Sequence, residues 1–392
     1  MVYATSWSTP SLILYIFLGV ICSIGCYLAN QRAIRTGHTR KITNAELMPW
    51  YLSWILIAVF RMVSSTIGGT DAPNYIYYFE NVLSLTNDNT DIFFRIFNGS
   101  IRAITDNYRV YFFIYYTIIV ASISSFVMTF SNKKASTIPY TIIFYLYLRS
   151  FTSMRSNLAI AILLFAIIFI EKRKFFLSFV FAILALLTHV SAFIYVAFIL
   201  FYYMYKEKKV KLLKSIFILA LAFFAGVIGQ NILTSGSLTL LSNISTGAYA
   251  SYAGRTEPLN LFLSYSVSNL PQLALFIVLV VFRKRIDQHS LSLSNSEKNK
   301  LNIIRLMCYF DMFVVPIITI LSVYRGYEYF YVARLIMWGE LIAIFKRRFN
   351  RESRVLISIF FWLVFVVWMY GRIEATWESS QLMPYVLDLF VN

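Results

Sequence analysis

One histidine and a set of arginines carry most of the chemistry that this sequence could perform. His189 lies near the middle of Phe175–Tyr203, an apolar stretch of 29 residues. Imidazole is the side chain best suited to act as a general base near neutral pH. Because a guanidinium binds phosphate or carboxylate through two parallel hydrogen bonds, arginines near such a base predict an anion site. Six arginines lie within apolar segments or at their outer ends: Arg61, Arg149, Arg155, Arg255, Arg325 and Arg334.

Asp71 and several tyrosines are the candidate contacts for a polar substrate. Asp71 follows a Gly-Gly-Thr sequence, and paired glycines permit a tight turn or close approach to a ligand. Its carboxylate could belong to an ordinary loop turn, or it could bind sugar hydroxyls or an arginine. Tyr75, Tyr324 and Tyr327 could stack on sugar rings, although tyrosines at the ends of apolar segments also anchor proteins at the membrane interface.

Each of these groups has a plainer structural interpretation. His189 could be a neutral histidine that is hydrogen-bonded in a helical core. Some outer arginines pair with outer acids or lipid headgroups, which is our interpretation of Arg95, Arg102, Arg109 and Arg372. An ionisable group inside a membrane is costly, and this cost favours a functional role for the other six arginines.

The elements that must position these residues follow from the composition. Of the 392 residues, 59% are hydrophobic and 14% are charged, whereas soluble domains are about 25% charged. Apolar runs recur along the whole chain. The sequence therefore predicts an all-α polytopic membrane protein of about 12 transmembrane helices, forming one integral membrane domain over residues 1–392.

The distribution of charge predicts the topology. All 14 lysines and 25 of the 35 basic residues fall on the predicted inner side. By the positive-inside rule both termini lie outside, and the net charge of +17 signals membrane topology and anionic lipid rather than nucleic acid. Three longer connections are predicted: an outer segment, 67–107, whose second half, Asp91 to Ile104, lies on the interface as a helix; an outer loop, 234–260; and a cytoplasmic loop, 283–302. The predicted membrane spans include about Tyr108–Phe130, Ile303–Val323, with Asp311 near mid-membrane, and Val355–Tyr370.

Two hairpins are too short to cross the membrane twice. Basic clusters flank Phe175–Tyr203 on both sides, so each of its arms has about 14 residues, whereas a full crossing needs about 20. The bend at Thr188–Ser191 is therefore predicted to lie inside the membrane layer. Bare backbone is tolerated at that depth only against protein or a water-filled cavity.

The preceding hairpin leads to the same cavity. Its arms, 137–148 and 157–170, are also short, and Arg149 and Arg155 lie at their bend. These short broken helices place the two arginines at a depth similar to that of His189. The sequence thus predicts an outward-facing polar cavity that holds a base and several guanidinium groups.

The absence of several motifs from the sequence excludes some classes of function. The sequence has no P-loop and no His, Cys or acid cluster with metal-ligand spacing, so neither a metal nor a cofactor is expected. Nucleotide-activated donors are not available outside the membrane. A transferase working there needs a donor that is already activated, and a lipid pyrophosphate suits an arginine-lined cavity. A lipid-oligosaccharide flippase and a membrane acyltransferase that uses His189 are the alternatives.

Several short motifs also keep a distinctive order along the chain. They are Phe60-Arg61, Gly68–Asp71 with Tyr75 and Phe79, Met154–Ala159, Thr188–Ala192, Arg334, and Pro384-Tyr385. In order and spacing they resemble the EpsG-like family of polysaccharide polymerases, which is related in role to the Wzy polymerases. One departure is Ser156, where the family often has glutamine.

The resemblance implies a glycosyltransferase-C type of fold and a metal-independent, hexosyltransferase-type enzyme. Such an enzyme joins undecaprenyl-pyrophosphate-linked oligosaccharide repeat units, as both donor and acceptor, into a surface polysaccharide on the outer face of the bacterial cytoplasmic membrane. Arg155, with some of the other five arginines, is expected to hold the pyrophosphate. His189 is expected to deprotonate the acceptor hydroxyl, and Asp71 to orient the acceptor. Expected partners are membrane lipid and could include a chain-length regulator protein.

Overall fold

A computed structural model gives the fold of this chain. It describes residues 6–17, 20, 48, 69, 71–82, 91–131, 148, 150–205, 270–320, 326–346 and 349–383. Arg61, Arg149, Arg255, Arg325, Tyr324 and the outer loop 234–260 lie outside the described residues, so the predictions made for them stay predictions.

The regular elements within these ranges are all helical, which agrees with the predicted all-α class. In chain order they are α1 (Ala72–Asn81), α2 (Ile92–Arg102), α3 (Tyr108–Phe130), α4 (Met154–Glu171), α5 (Phe175–Thr188), the 3-10 helix Val190–Phe193, α6 (Ile194–Tyr205), α7 (Leu270–Val281), α8 (Arg283–Leu291), α9 (Asn295–Ile320), the 3-10 helix Gly326–Phe330, α10 (Tyr331–Lys346) and α11 (Arg351–Ser380). Residues 9–17 are helical as well.

Three of the described helices are long and apolar enough to cross a membrane. They are α3, α4 and the part of α11 from Glu352 to Glu378. Helix α4 corrects the prediction that the arm 157–170 is too short to cross, because the helix begins three residues earlier, at Met154, and has 18 residues. Shorter apolar helices cover α5, α6 and most of α7. The total of about 12 transmembrane helices remains a prediction.

The chain divides into two compact units. Unit 1 consists of residues 1–86, 90–190 and 338–392, and unit 2 consists of residues 87–89 and 191–337. Unit 1 therefore contains α1–α5, the end of α10 and α11, and unit 2 contains α6–α9 and the start of α10. The division into two units does not test the predicted single membrane domain over 1–392, which stays a prediction.

Helices α4 and α5 form the centre of unit 1. Their connection turns at Arg173, whose φ of 57° is left-handed, and the Lys174 amide donates to the Phe169 carbonyl at 2.8 Å. The Phe181 ring of α5 packs against Phe165 at 5.9 Å and against Phe169 at 5.1 Å, so the two helices run antiparallel. The apolar window of α4 is 78% buried.

Helix α3 packs on the other side of α4. It begins where the sequence predicted, because the Asn107 side chain caps its first turn by accepting from the Arg109 amide at 2.9 Å. Ser122 on α3 donates to the Ala161 carbonyl on α4 at 2.6 Å. Small residues of this kind let two helices approach closely within a membrane.

The outer segment 67–107 holds two helices rather than one. Helix α2 is the predicted interfacial helix, with Ile92 and Ile96 exposed at 55% and 57% while Phe94 and Ile101 are buried. Such a divided surface suits a helix that lies at a membrane interface. Helix α1 was not predicted; it begins directly after Asp71, with proline in its first turn, where proline is well tolerated.

The connection predicted over 283–302 is largely helical, although no helix was predicted there; its cytoplasmic location stays a prediction. Helix α8 fills its first half, where Ile286 is 1% exposed. Asp287 pairs with Arg305 of α9 at 2.9 Å. The buried Ile286 side chain and this ion pair attach α8 to the protein. The polar composition of the segment gave no indication that it is helical.

Helix α9 begins earlier than the predicted membrane span, at Asn295. Ser294 and Glu297 form a capping box: the Ser294 amide donates to the Glu297 carboxylate at 3.0 Å, and the Glu297 amide donates to Ser294 Oγ at 3.4 Å. This reciprocal pair satisfies amides that the first turn of a helix otherwise leaves unbonded. Helix α9 therefore starts outside its apolar part.

An aromatic cluster lies inside unit 2. Phe198 of α6, Phe310 of α9 and Phe330 contact one another in edge-on arrangements, with ring centroids 5.3 to 5.7 Å apart. Edge-to-face packing at these distances is a favoured geometry for aromatic pairs. The cluster connects the 3-10 helix before α10 to two of the helices in this unit.

Helix α11 is longer than the predicted span of Val355–Tyr370 and is mostly exposed. Only 17% of its apolar window is buried within the protein. Its C-terminal end is fixed in unit 1, because Trp377 packs edge-on against Trp7 at 5.8 Å. The Tyr15 hydroxyl also donates to the Leu382 carbonyl at 2.7 Å.

Candidate functional site

The first turn of α4 carries the arginine that the sequence placed at a bend. Arg155 is the second residue of this helix rather than part of the preceding turn. The Ser153 carbonyl accepts from the Asn157 amide, the Ser156 hydroxyl and the Asn157 side chain at 2.8 to 3.0 Å. The Tyr115 hydroxyl of α3 donates to the Met154 carbonyl. These bonds fix the backbone from which the Arg155 side chain projects.

Gly69 brings the segment before Asp71 against the segment before α4. Its φ is +103°, a conformation that L side chains rarely adopt. A Cβ atom added at Gly69 would lie 2.0 Å from the Phe151 carbonyl oxygen, so no larger residue fits without a backbone shift. The structure thus shows a close approach of Gly69 to the protein's own backbone, and the predicted approach of these glycines to a ligand stays a prediction.

Tyr75 links α1 to Arg155. Its hydroxyl accepts from the Arg155 backbone amide at 3.2 Å. Its ring is 4% exposed and packs edge-on against Phe94 of α2 at 5.7 Å. Tyr75 was predicted to contact sugar, but in this structure it contacts the start of α4.

Asp71 holds the start of α1 beside these contacts. It is the N-cap residue of that helix. Its carbonyl accepts from the Tyr75 amide at 3.1 Å. Asp71, Tyr75 and Arg155 are thus joined in one short series of contacts.

Asp91 is the carboxylate that the structure places on Arg155. Its Oδ2 lies 3.4 Å from Arg155 NH1, and the two side chains are 28% and 29% exposed. Asp91 occupies the N-cap position of α2, yet its side chain makes no capping hydrogen bond there. Burial raises the pKa of the Asp91 carboxyl more than nearby Arg155 lowers it. The ion pair consists of this one contact of 3.4 Å.

The other side of the Arg155 guanidinium presents a buried donor. Its Nε atom is buried and makes no hydrogen bond to the residues that the structure describes. A buried donor of this kind costs free energy unless it has a partner. The atom is therefore a candidate contact for an anionic ligand.

His189 lies where the sequence predicted a break in the helix. Helix α5 ends at Thr188, and His189 is its C-cap in an extended conformation, with its amide donating to the Ala185 carbonyl at 2.9 Å. The contact of Phe181 with Phe165 and Phe169 makes His189 roughly level with residues 157–161 of α4, about one helical turn from Arg155. Histidine and arginine thus lie at the same end of the α4–α5 pair.

Arg334 has a different environment, inside unit 2. Its Nε and NH2 donate to the two oxygens of Asp311 at 2.5 and 2.8 Å. The guanidinium also lies 5.2 Å from the centre of the Tyr331 ring. The Nε/NH2 edge of this guanidinium, one of its two edges for two-point binding, therefore holds a carboxylate of the same chain. Both side chains are buried, with Arg334 7% and Asp311 1% exposed.

One further pair of polar side chains in unit 2 adjoins the predicted motifs. Ser191, two residues after His189, shares a hydrogen bond of 2.7 Å with the hydroxyl of Tyr329. Tyr327 lies in the 3-10 helix Gly326–Phe330; its side chain is outside the described residues. The predicted sugar contact at Tyr327 therefore stays a prediction.

Sequence reasoning missed two residues that contact predicted arginines. Asp91 was seen only as the start of an interfacial helix, and Asp311 only as an acid at mid-membrane. The sequence carried a partial signal, because a buried acid and a buried arginine in one membrane protein generally pair. It gave no means of choosing the partners.

The comparisons with known proteins agree with the motifs described above. The search of curated proteins and the search of solved structures each gave no match. The model of the EpsG family matches residues 50–387. The matched region includes α1 to α11 and every predicted site residue. Because the match extends over most of its length, the chain belongs to the EpsG family, whose members are integral membrane proteins of the polysaccharide-polymerase type acting on lipid-linked oligosaccharide.

Proposed function

We propose that this protein joins undecaprenyl-pyrophosphate-linked oligosaccharide repeat units on the outer face of the bacterial cytoplasmic membrane. The family supports a lipid-linked oligosaccharide as substrate. The choice of a diphosphate as leaving group rests on the chemistry of Arg155 and on the other arginines that are predicted to lie in the outer half of the membrane. The fold of such an enzyme is expected to be of the glycosyltransferase-C type.

The proposed reaction transfers a glycan from one lipid carrier to another. The acceptor hydroxyl oxygen forms a bond to the anomeric carbon of the donor. The bond from that carbon to the phosphate oxygen breaks, and the lipid diphosphate leaves with the electron pair. His189 takes the proton of the acceptor hydroxyl, and Asp71 orients the acceptor sugar.

Arg155 is assigned to the leaving group. The negative charge on the bridging oxygen grows as the bond breaks, and a donor that is already positioned stabilises that charge most effectively. Arg61, Arg149, Arg255 and Arg325 are proposed to assist. Arg334 is a weaker candidate than Arg155, because Asp311 already occupies its Nε/NH2 edge.

A single observation supports the proposal more than any other. The Arg155 guanidinium projects from the first turn of a buried helix whose start is fixed by Tyr75 and Tyr115. It keeps a buried Nε that bonds to none of the described residues. The amides at the start of a helix also favour an anion. A diphosphate would supply the missing acceptor.

The test is reconstitution. Purified protein is incubated with a lipid-pyrophosphate repeat unit, and the products are separated on a gel. Wild type should give a ladder, whereas Arg155→Ala and His189→Ala should each lower transfer by at least about a hundredfold. Arg102→Ala is the matched control, because Arg102 pairs with exposed Asp106 at 2.9 Å on the same outer segment.

The possible outcomes distinguish an error in the role assigned to Arg155 or His189 from an error in the type of reaction. Normal chain lengths from Arg155→Ala or His189→Ala would remove the role assigned to that residue. Movement of the lipid-linked unit across a vesicle membrane without any ladder would instead identify a flippase. A transferred acyl group would identify an acyltransferase.

A further inference from the structure

Arg155 and Arg334 use their guanidinium groups in different ways. Arg334 holds Asp311 through Nε and NH2, one of the two guanidinium edges that can give two parallel bonds to an anion. Arg155 instead contacts Asp91 through NH1, at 3.4 Å, and its buried Nε bonds to none of the described residues. Asp91 therefore lies beside the guanidinium without occupying the Nε atom.

The Asp91 carboxylate does little for its own helix. It stands at the N-cap of α2, where an aspartate commonly accepts from a backbone amide, yet it makes no such bond. Among the described residues, its ion-pair partner is Arg155. The position of this carboxylate is therefore best explained by its effect on the arginine.

A carboxylate at that position has a defined electrostatic effect. It offsets part of the guanidinium charge, and it repels any second anion that binds the same group. With both side chains more than a quarter exposed, water screens this repulsion without abolishing it. A diphosphate on Arg155 would thus bind more weakly with Asp91 ionised than with Asp91 neutral.

We infer that Asp91 weakens the hold of Arg155 on the diphosphate and thereby allows the leaving group to depart after each transfer. The inference rests on the proposed function, in which Arg155 binds the diphosphate. An arginine that held the product as tightly as the transition state would slow turnover at product release. Asp91 is thus a positioning residue that acts through Arg155, and it touches no substrate itself.

The experiment uses inorganic pyrophosphate as the probe and the full chain reconstituted in lipid nanodiscs. Binding is measured by calorimetry, and pyrophosphate inhibition of polymer formation is measured in parallel. Asp91→Asn removes the charge but keeps an oxygen that can accept from NH1. It should bind pyrophosphate about fivefold to tenfold more tightly than wild type, the effect of one nearby charge in a partly solvated site. Its kcat should fall while its KM for the lipid-linked unit falls too.

A matched control separates this effect from a general change in surface charge. Asp106→Asn removes an aspartate that also pairs with an arginine, Arg102, but lies in the loop after α2 with its side chain 86% exposed. Its pyrophosphate affinity should equal that of wild type. A thermal unfolding curve for each variant establishes that both are folded.

The result that overturns the inference is specific. If Asp91→Asn binds pyrophosphate as wild type does, or more weakly, Asp91 does not oppose the anion. Arg155→Ala then distinguishes the inference about Asp91 from the proposed role of Arg155. Its loss of pyrophosphate binding alongside an unaltered Asp91→Asn would discard only the inference about Asp91, whereas wild-type binding by Arg155→Ala would discard the proposed role of Arg155 as well.

Discussion

The hydroxyl of Tyr75 accepts a hydrogen bond from the backbone amide of Arg155, a residue 80 positions further along the chain. This bond joins α1 to the first turn of α4, which has the most buried apolar window, 78%, among the described helices that are long enough to span a membrane. It satisfies one of the amides that the start of a helix leaves without a partner.

Tyr75→Phe should therefore destabilise the protein although it removes a single atom. The Arg155 amide loses a buried acceptor, which costs about 1–3 kcal/mol. Chemical unfolding in detergent measures the change. Tyr77→Phe on the same helix is the control, because Tyr77 is 56% exposed and should change stability by less than about 0.5 kcal/mol. Equal effects from the two variants would contradict this role for Tyr75.

Gly69→Ala should be far more damaging than an ordinary glycine substitution. The new Cβ would meet the Phe151 carbonyl oxygen at 2.0 Å in a backbone conformation with φ of +103°. We expect a loss of about 3 kcal/mol or more, seen as a lower yield in the membrane and a lower unfolding midpoint.

The control for that substitution is Gly99→Ala in α2. Nothing lies within 4 Å of a Cβ at Gly99, and alanine is favoured over glycine inside a helix by about 0.5–1 kcal/mol. Gly99→Ala should thus be neutral or stabilising. A stable Gly69→Ala protein would show that the segment before Asp71 does not lie against Phe151.

Arg334 and Asp311 should behave as a coupled pair. Removing either partner leaves the other charge buried and unpaired, at a cost of about 3–5 kcal/mol. The double variant Arg334→Met with Asp311→Leu removes both charges and should recover most of that stability. A double-mutant cycle in chemical denaturation measures the coupling; purely additive losses would argue against it.

The same double variant also tests the pyrophosphate role that the sequence suggested for Arg334. If the pair acts only in folding, a stable double variant should retain wild-type polymer formation. A double variant that folds but forms no polymer would indicate that Arg334 takes part in the reaction.

Asp91 should make stability depend on pH. A carboxyl whose pKa is higher in the folded state adds stability below its unfolded pKa, and this contribution is lost as pH rises through the folded pKa. Because burial raises the pKa of Asp91, wild type should lose stability relative to Asp91→Asn as pH rises from about 4 toward neutral. Thermal unfolding of both proteins across that range measures the difference. A difference that grows in favour of wild type would mean that Arg155 outweighs burial.

The local features of this fold could be predicted from sequence. Helix α3 has the predicted bounds because a capping asparagine, Asn107, precedes a continuous apolar run. The break at His189 followed from the length of an apolar stretch between basic clusters, and α5 has the predicted length of 14 residues. The capping box of Ser294 and Glu297 was equally readable, and it marks the start of α9 that was missed.

The contacts that define the site could not be predicted in this way. Asp91 and Arg155 are 64 positions apart, and Asp311 and Arg334 are 23 apart. Charge alone allowed each arginine several acidic partners. The choice between them depends on how helices pack, for example on the close approach of Gly69 to Phe151, and no local pattern encodes that packing.

The burial of α4 has a consequence for how a ligand would meet Arg155. A helix surrounded by protein over 78% of its apolar window, with its first turn bonded to tyrosines from two other helices, has little freedom to adjust when an anion arrives. Preorganised donors of this kind lose little free energy to rearrangement during the reaction. Adaptation to differently shaped repeat units would then depend on residues outside this helix, and enzymes of altered sugar preference should be sought by varying those residues.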